Sequence, residues 1–217
     1  MAAGMYIDAK TGIRADASAL LGLKKGERAW AQAVKDKRTS LYYLWEESAL
    51  RRKNDECIWS REGCYSWTQA YDRVNQWAQW YIAQGVKPGQ LVAFYLQNSP
   101  DFMFAWFGLW AIGAAPAMIN YNLGGKALIH CLKISGSKIL LVDNDPELQA
   151  RIAEVQQEVD ADFGMHSIVF DEEMRRDIEA KPKLKPGDEW RVNVKGSDPM
   201  CLLYTRQVLS LLYLTVS

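Results

Sequence analysis

From residue 90 onward the chain alternates short apolar runs with helix-like segments, and no other feature constrains its fold as strongly. The runs are "QLVAFYLQ", "APAMIN", "KILLVD", "HSIVFD" and "MCLLYT". Each has the length of a strand and is apolar along most of its length, not only at every second residue. A strand of that kind is covered on both faces, as in a parallel sheet. Helical segments are expected between them over 100–112, over 125–136 with Gly136 closing it, and over the charged stretch 145–160. A polar connection rich in lysine and proline, 180–197, leads to the last run. The pattern predicts an α/β fold, a mostly parallel sheet with helices on both faces.

Upstream, the first ~20 residues are expected to be poorly ordered, as termini often are. A polar helix is expected over 24–37 and a second one from Ser40. The second presents Leu41, Leu44, Trp45 and Ser48 at helical spacing as an inward stripe. "CIWSREGCYSW" reads as a β-hairpin with Arg61, Glu62 and Gly63 at its turn. Thr68 is the expected N-cap of the next helix, whose inward face is Tyr71, Val74, Ala78, Tyr81 and Ile82. Gly85 and Pro88 end it.

Charge excludes one class of partner. Lys+Arg and Asp+Glu stand at 26 each, so no field favours nucleic acid. The four cysteines form no CxxC pair, and neither His130 nor His166 completes a zinc spacing, so no metal site is predicted. The N-terminus has no apolar core of a secretory signal. Together these point to a reducing, intracellular compartment and not to secretion. The stretch 102–119 is apolar enough to raise a membrane span, yet Gly113 and Pro116 divide it. Ser99-Pro100-Asp101 also gives it the cap, proline and acid of a soluble helix start. It reads as a buried helix followed by a buried strand, with peripheral attachment through the same surface left open.

In a doubly wound sheet ligands bind beyond the carboxyl ends of the strands. Those ends fall near Asn98-Ser99, Asn120-Tyr121-Asn122, Asp143-Asn144-Asp145, Asp171 and Thr205. None is followed by GxGxxG. Gly125-Lys126 hints at a Walker A loop, but Asn120 stands at its first glycine and Ala127 at its hydroxyl position. Asp143 and Asp145 could form an acid pair or hold a metal; their strand-to-helix position also suits helix starts. No residue is assigned a catalytic role.

Taken whole, residues 65–143 resemble the N-terminal subdomain of adenylate-forming enzymes. The hairpin, the helix beginning "WTQAYDRVN", "GVKPGQLVA" and "GAAPAMIN" carry the resemblance. "NYNL" followed by "LIHCLKISGSKILLVD" is similar to the branch of fatty-acid transport proteins and very-long-chain acyl-CoA synthetases. Gly124 departs from the arginine expected in that loop. The resemblance divides the chain into an N-terminal extension with a helix (1–39), a partial AMP-binding domain (40–205) and an apolar tail foreign to the family (206–217).

It also implies substrates and places. A fatty acid, ATP with Mg, and CoA would be used by the full-length family. Residence would be on the endoplasmic reticulum, peroxisome, lipid droplet or plasma membrane. In the family "DPMCLLYT" runs into Ser-Gly-Thr-Thr-Gly, the loop that grips the ATP phosphates. Here Arg206, Gln207 and Val208 follow instead, so Thr205 is the one cofactor-binding remnant. The resemblance therefore implies a chain truncated at that loop, inactive and without bound cofactor. Two other readings remain beside it: a membrane-associated or partner-binding module without catalysis, and a flavodoxin-type domain with bound flavin.

Overall fold

The computed structural model describes residues 13–61, 63–204 and 211–214. The chain divides into two compact units, 1–39 and 40–217. The first contains helix α1, Ile13–Lys35, which starts well before the helix expected from residue 24. Residues 1–12 lie outside the described residues. Lys37 takes a left-handed conformation, φ 56°, just beyond the helix. Arg38 N–H bonds Ala33 O at 2.8 Å there, a backbone stop usually built on glycine.

The second unit opens with α2, Tyr42–Arg52, and a hairpin of β1, Glu56–Ser60, and β2, Gly63–Ser66. Next come α3, Trp67–Ala83, and β3, Leu91–Tyr95. Helix α4, Pro100–Ala111, precedes β4, Ala115–Met118, and α5, Gly125–Ser135, precedes β5, Ile139–Asp143. Helix α6, Pro146–Ala153, precedes β6, His166–Phe170. The described residues end with α7, Glu172–Glu179, then β7, Cys201–Tyr204, and β8, Leu211–Leu214.

One sheet has the order β6-β5-β3-β4-β7-β8. Strands β3 to β7 are mutually parallel, and β8 runs antiparallel to β7. Side chains alternate across the sheet, as strand geometry requires. Val92, Phe94, Leu96 and Leu141 pack in the core that holds the buried faces of α3, α4 and α7. Ala93, Tyr95, Leu140 and Val142 pack in the core that holds α5 and α6. The expected α/β architecture with helices on both faces is what forms.

Helix α4 starts as its sequence predicts. Ser99 Oγ accepts the Phe102 N–H at 3.2 Å, with Pro100 at the first helical position. It crosses α3 at Gly108, where a Cβ would lie 2.8 Å from Trp77 Cβ. The apolar run 102–119 is spent largely on the interior, with Phe104, Ala105, Leu109, Ile112, Ala117 and Ile119 buried. No helix among the described residues is long and apolar enough to cross a membrane.

Several local expectations are corrected. The N-cap of α3 is Ser66, not Thr68, because β2 runs straight into the helix. Ser66 Oγ accepts the Gln69 N–H at 3.2 Å, and Gln69 Oε1 accepts the Ser66 N–H at 2.8 Å, a reciprocal capping box. Thr68 Oγ1 instead donates to Lys53 O at 3.0 Å. Helix α2 buries Tyr42, Tyr43, Glu46 and Ala49, while Leu44 is 62% exposed. Polar partners inside the fold make that rotation favourable. Tyr42 donates to Asn75 Oδ1 at 2.7 Å, and Glu46 accepts from Tyr71 at 2.9 Å and pairs with Lys185 at 2.8 Å.

The charged segment 145–160 is not one helix. Its α-helical part stops at Ala153, and a π-helical turn follows over Glu158–Asp162. The wider turn keeps Val159 buried alongside Val155. Helix α7 was not expected; only Met174 and Ile178, one turn apart, mark its buried face among charged residues. The connection 180–197 is anchored by Arg191, which is fully buried. Its guanidinium donates to Ala111 O and Pro186 O, pairs with Asp188 at 2.7 Å, and lies over the Tyr42 ring at 4.6 Å.

Candidate functional site

The chain leaves β3 through α4 on one face of the sheet and leaves β4 through α5 on the other. Loops that part in this way open a crevice at the carboxyl ends of the strands. Of the described residues singled out there, Asp143 and Asp145 are brought together with the exit of β3, and Asn120 and Asp171 bond within their own loops.

Asp143, at the end of β5, accepts the Gln97 N–H at 2.9 Å and the Asp145 N–H at 3.1 Å. It thereby ties the exit of β3 to the exit of β5. Asp145 caps α6 by accepting the N–H groups of Glu147 and Leu148 at 2.8 and 3.2 Å. Gln97 Nε2 donates to its other oxygen at 3.3 Å. Asp171 caps α7 in the same manner, from Glu173 and Met174 at 3.0 and 2.9 Å. These acids are helix starts and strand ties, with their oxygens aimed at main-chain amides.

The loop after β4 is equally constrained. Asn120 Oδ1 accepts the Asn122 N–H at 2.9 Å, and Leu123 N–H bonds Asn120 O at 3.0 Å. Two residues that sequence reasoning missed hold this loop from below. Tyr95 donates its hydroxyl to Leu123 O at 2.5 Å, and Arg151 of α6 donates to Tyr121 O at 2.7 Å. Arg151 also pairs with Glu147. A Cβ on Gly124 would lie 3.8 Å from Arg151 Cδ, so an arginine from α6 passes under the position where the family loop has its own. The one signal for Tyr95 was a phenol at the end of an otherwise apolar run.

Lys126 is exposed and Gly125 has φ 51°, which marks a turn into α5. His130 and His166 are exposed on different elements. Among the described residues no group of three or more His, Cys, Asp or Glu could hold a metal. Cys131 and Cys201 are buried and Cys64 is exposed. Burial pushes the half-buried Cys57 thiol up to about 11, so it is a protonated packing group and no nucleophile.

Strand β7 reaches the same edge. Its entry is held by the indoles of Trp106 and Trp110, which donate to Met200 O at 3.4 and 2.8 Å. Its exit is held by Tyr204, whose hydroxyl donates to Cys131 O at 2.9 Å. Thr205, the predicted phosphate-loop remnant, lies outside the described residues. Asp143, Asp145 and Asp171 place three carboxylates at these exits, each accepting main-chain N–H groups. A cleft of about 600 Å³ does exist, but at the amino ends of β3, β5 and β6, lined by Gly85, Gln90, Leu91, Gly136, Lys138 and His166 among others. That is the end of the sheet away from the crevice.

The family model described as "AMP-binding enzyme" matches residues 45–205. The chain is 43% identical over 170 residues to isopenicillin N epimerase component 1 of Hapsidospora chrysogena, covering 78% of this chain and 28% of that protein. It is 30% identical over 117 residues to long-chain fatty acid transport protein 2 of Rattus norvegicus, covering 54% of this chain and 18% of that one. It is 45% identical over 74 residues to the very long-chain fatty acid transport protein of Saccharomyces cerevisiae, covering 34% and 11%.

Among solved structures, a fatty acyl CoA synthetase of Mycobacterium tuberculosis superposes with a TM-score of 0.68 at 19% identity, over 78% of this chain and 33% of that one. A benzoate CoA ligase of Burkholderia xenovorans does so at 0.62 and 17%, over 75% and 32%. These structures share the fold. The chain thus spans less than a third of the length of the curated relatives it matches.

Proposed function

The chain belongs to the AMP-binding enzyme family, and from that premise we propose that it is the sheet-building N-terminal portion of a fatty-acyl-CoA synthetase, without adenylating activity of its own. The family is that of adenylate-forming acyl-CoA synthetases, with fatty acid transport proteins among its relatives. The reaction proposed for a longer protein has two steps. A fatty-acid carboxylate oxygen attacks the α-phosphorus of ATP and pyrophosphate leaves. The CoA thiolate then attacks the acyl carbon, and AMP leaves with the electrons of the broken C–O bond. Association with a membrane belongs to the same proposal.

One observation carries the inactivity. Strand β7 stops at Tyr204, the place from which a phosphate loop would be presented, and the next residues are Thr205, Arg206, Gln207, Val208 and Leu209. Without glycine the backbone amides cannot close on phosphate oxygens, and a single threonine hydroxyl supplies one hydrogen bond of ~1 kcal/mol. The purified 217-residue protein is therefore expected to show no palmitate-dependent exchange of labelled pyrophosphate into ATP. Exchange above the no-palmitate control would sink the inactivity reading. The non-catalytic module loses most of its basis, because the run 102–119 is largely interior. What remains of it is the segment after Thr205.

A further inference from the structure

We propose that the cleft at the amino ends of β3, β5 and β6 binds a small organic monocarboxylate, at a site separate from the crevice at the carboxyl ends. Its volume of about 600 Å³ falls in the range of small-molecule sites, and no step of the adenylation proposed above uses it. Three adjacent strands build its floor. Ile139 stands opposite His166, and Val92 comes one residue before Ala93, which stands opposite Leu140. Val92, Ile139 and His166 therefore lie abreast on one face of the sheet, the face that packs under α3. Val92 is buried, and so is Val86 just beyond the end of α3.

Two features assign the ligand. The first is charge. Among the described residues that line the cleft there is no carboxylate, whereas Lys138 and His166 both line it and both are exposed. The His166 main-chain N–H bonds Lys138 O at 2.8 Å, which sets the two residues side by side. Lys138 Nζ donates to Phe163 O at 3.0 Å and has two further N–H groups to give. Gln90 Oε1 accepts the Lys87 N–H at 2.8 Å, which leaves the Gln90 Nε2 as a donor. Helices α3 and α5 also end here, and free carbonyls at their ends would oppose an anion. Several of these are occupied. Tyr81 O and Ile82 O accept the N–H groups of Val86 and Gly85, each at 3.0 Å, and Leu132 O accepts from Ser135 Oγ at 2.6 Å. The second feature is the apolar floor. Val86, Val92 and Ile139 suit a hydrocarbon body, which an inorganic anion lacks. The one lysine matches a single negative charge, so the head is a carboxylate and not a phosphate dianion.

Hexanoate and its neutral counterpart hexan-1-ol test this on the unmodified ¹⁵N-labelled chain at neutral pH. Hexanoate is expected to shift saturably the amides of 84–92, 135–139 and 166. Hexan-1-ol is expected to bind the same segments about tenfold more weakly, the difference a charge-assisted hydrogen bond makes. Lys138→Gln should weaken hexanoate binding by about the same factor, with the rest of the amide spectrum unchanged. The absence of saturable shifts in those segments would overturn the proposal, and so would equal affinity for the two probes. Parental affinity in Lys138→Gln would do the same. Should that variant fail to fold, the comparison of the two probes on the unmodified chain decides. None of these failures touches the adenylation reading, whose readout is pyrophosphate exchange.

Discussion

Asp101→Ala is expected to lower the stability of the second unit by about 3 kcal/mol, the cost of removing one partner from a buried ion pair. Asp101 is 2% exposed in the first turn of α4 and faces two cations from different helices. Arg73 of α3 approaches it at 3.1 Å, and Arg175 of α7 pairs with its other oxygen. Arg73 also reaches Glu179 at 2.9 Å, at the end of α7. One carboxylate thus holds three helices together. Removing it leaves two guanidinium groups facing each other at the rim of the core. Arg175, at 30% exposure, can be partly rehydrated, which keeps the loss from being larger. Urea unfolding followed by far-UV circular dichroism measures it. A loss under about 0.5 kcal/mol would place the cluster among surface pairs, which contribute little.

Gly108→Val is expected to cost a similar amount, about 3 kcal/mol, through overpacking. The Cβ of any residue there would stand 2.8 Å from Trp77 Cβ and 3.2 Å from both Ala78 N and Val74 O. These are atoms of a helix backbone or its first side-chain carbon, and they cannot swing away. α3 and α4 would have to separate, opening the packing around Trp77, Trp80 and Tyr81, whose rings lie 5.3 to 5.8 Å apart. Near-UV circular dichroism should lose intensity with stability, and Gly108→Ala should fall between the two. A valine variant as stable as the parent would mean that the close crossing of α3 and α4 is wrong.

How much of this was legible before the structure depended on where the deciding interaction sits. The sheet was readable because each strand's burial is written in its own residues, as in Leu91–Tyr95 and Ile139–Asp143. The start of α4 was readable because Ser99, Pro100 and Asp101 act locally. The buried face of α2 was not, since it depends on Asn75, Tyr71 and Arg191, far away in sequence. Hydrophobicity alone pointed to Leu44. Arg191 itself looked like one more charge in a polar connection, and α7 like a surface run.

The site divides in the same way. Capping roles for Asp145 and Asp171 follow from neighbouring residues. The support that Arg151 and Tyr95 give to the loop after β4 is tertiary, and no spacing announces it. The segment after Thr205 reads as an apolar tail foreign to the family. The pairing of 211–214 with β7 depends on an open sheet edge that a linear reading does not display.

The central claim is that this chain carries the sheet of an AMP-binding domain without the means to hold ATP. Titrating the ¹⁵N-labelled protein with MgATP to several millimolar tests it most directly. The account predicts no saturable shifts of the amides at the strand exits, 96–99, 120–124, 143–145 and 201–204. Saturable shifts confined to those four segments would contradict it.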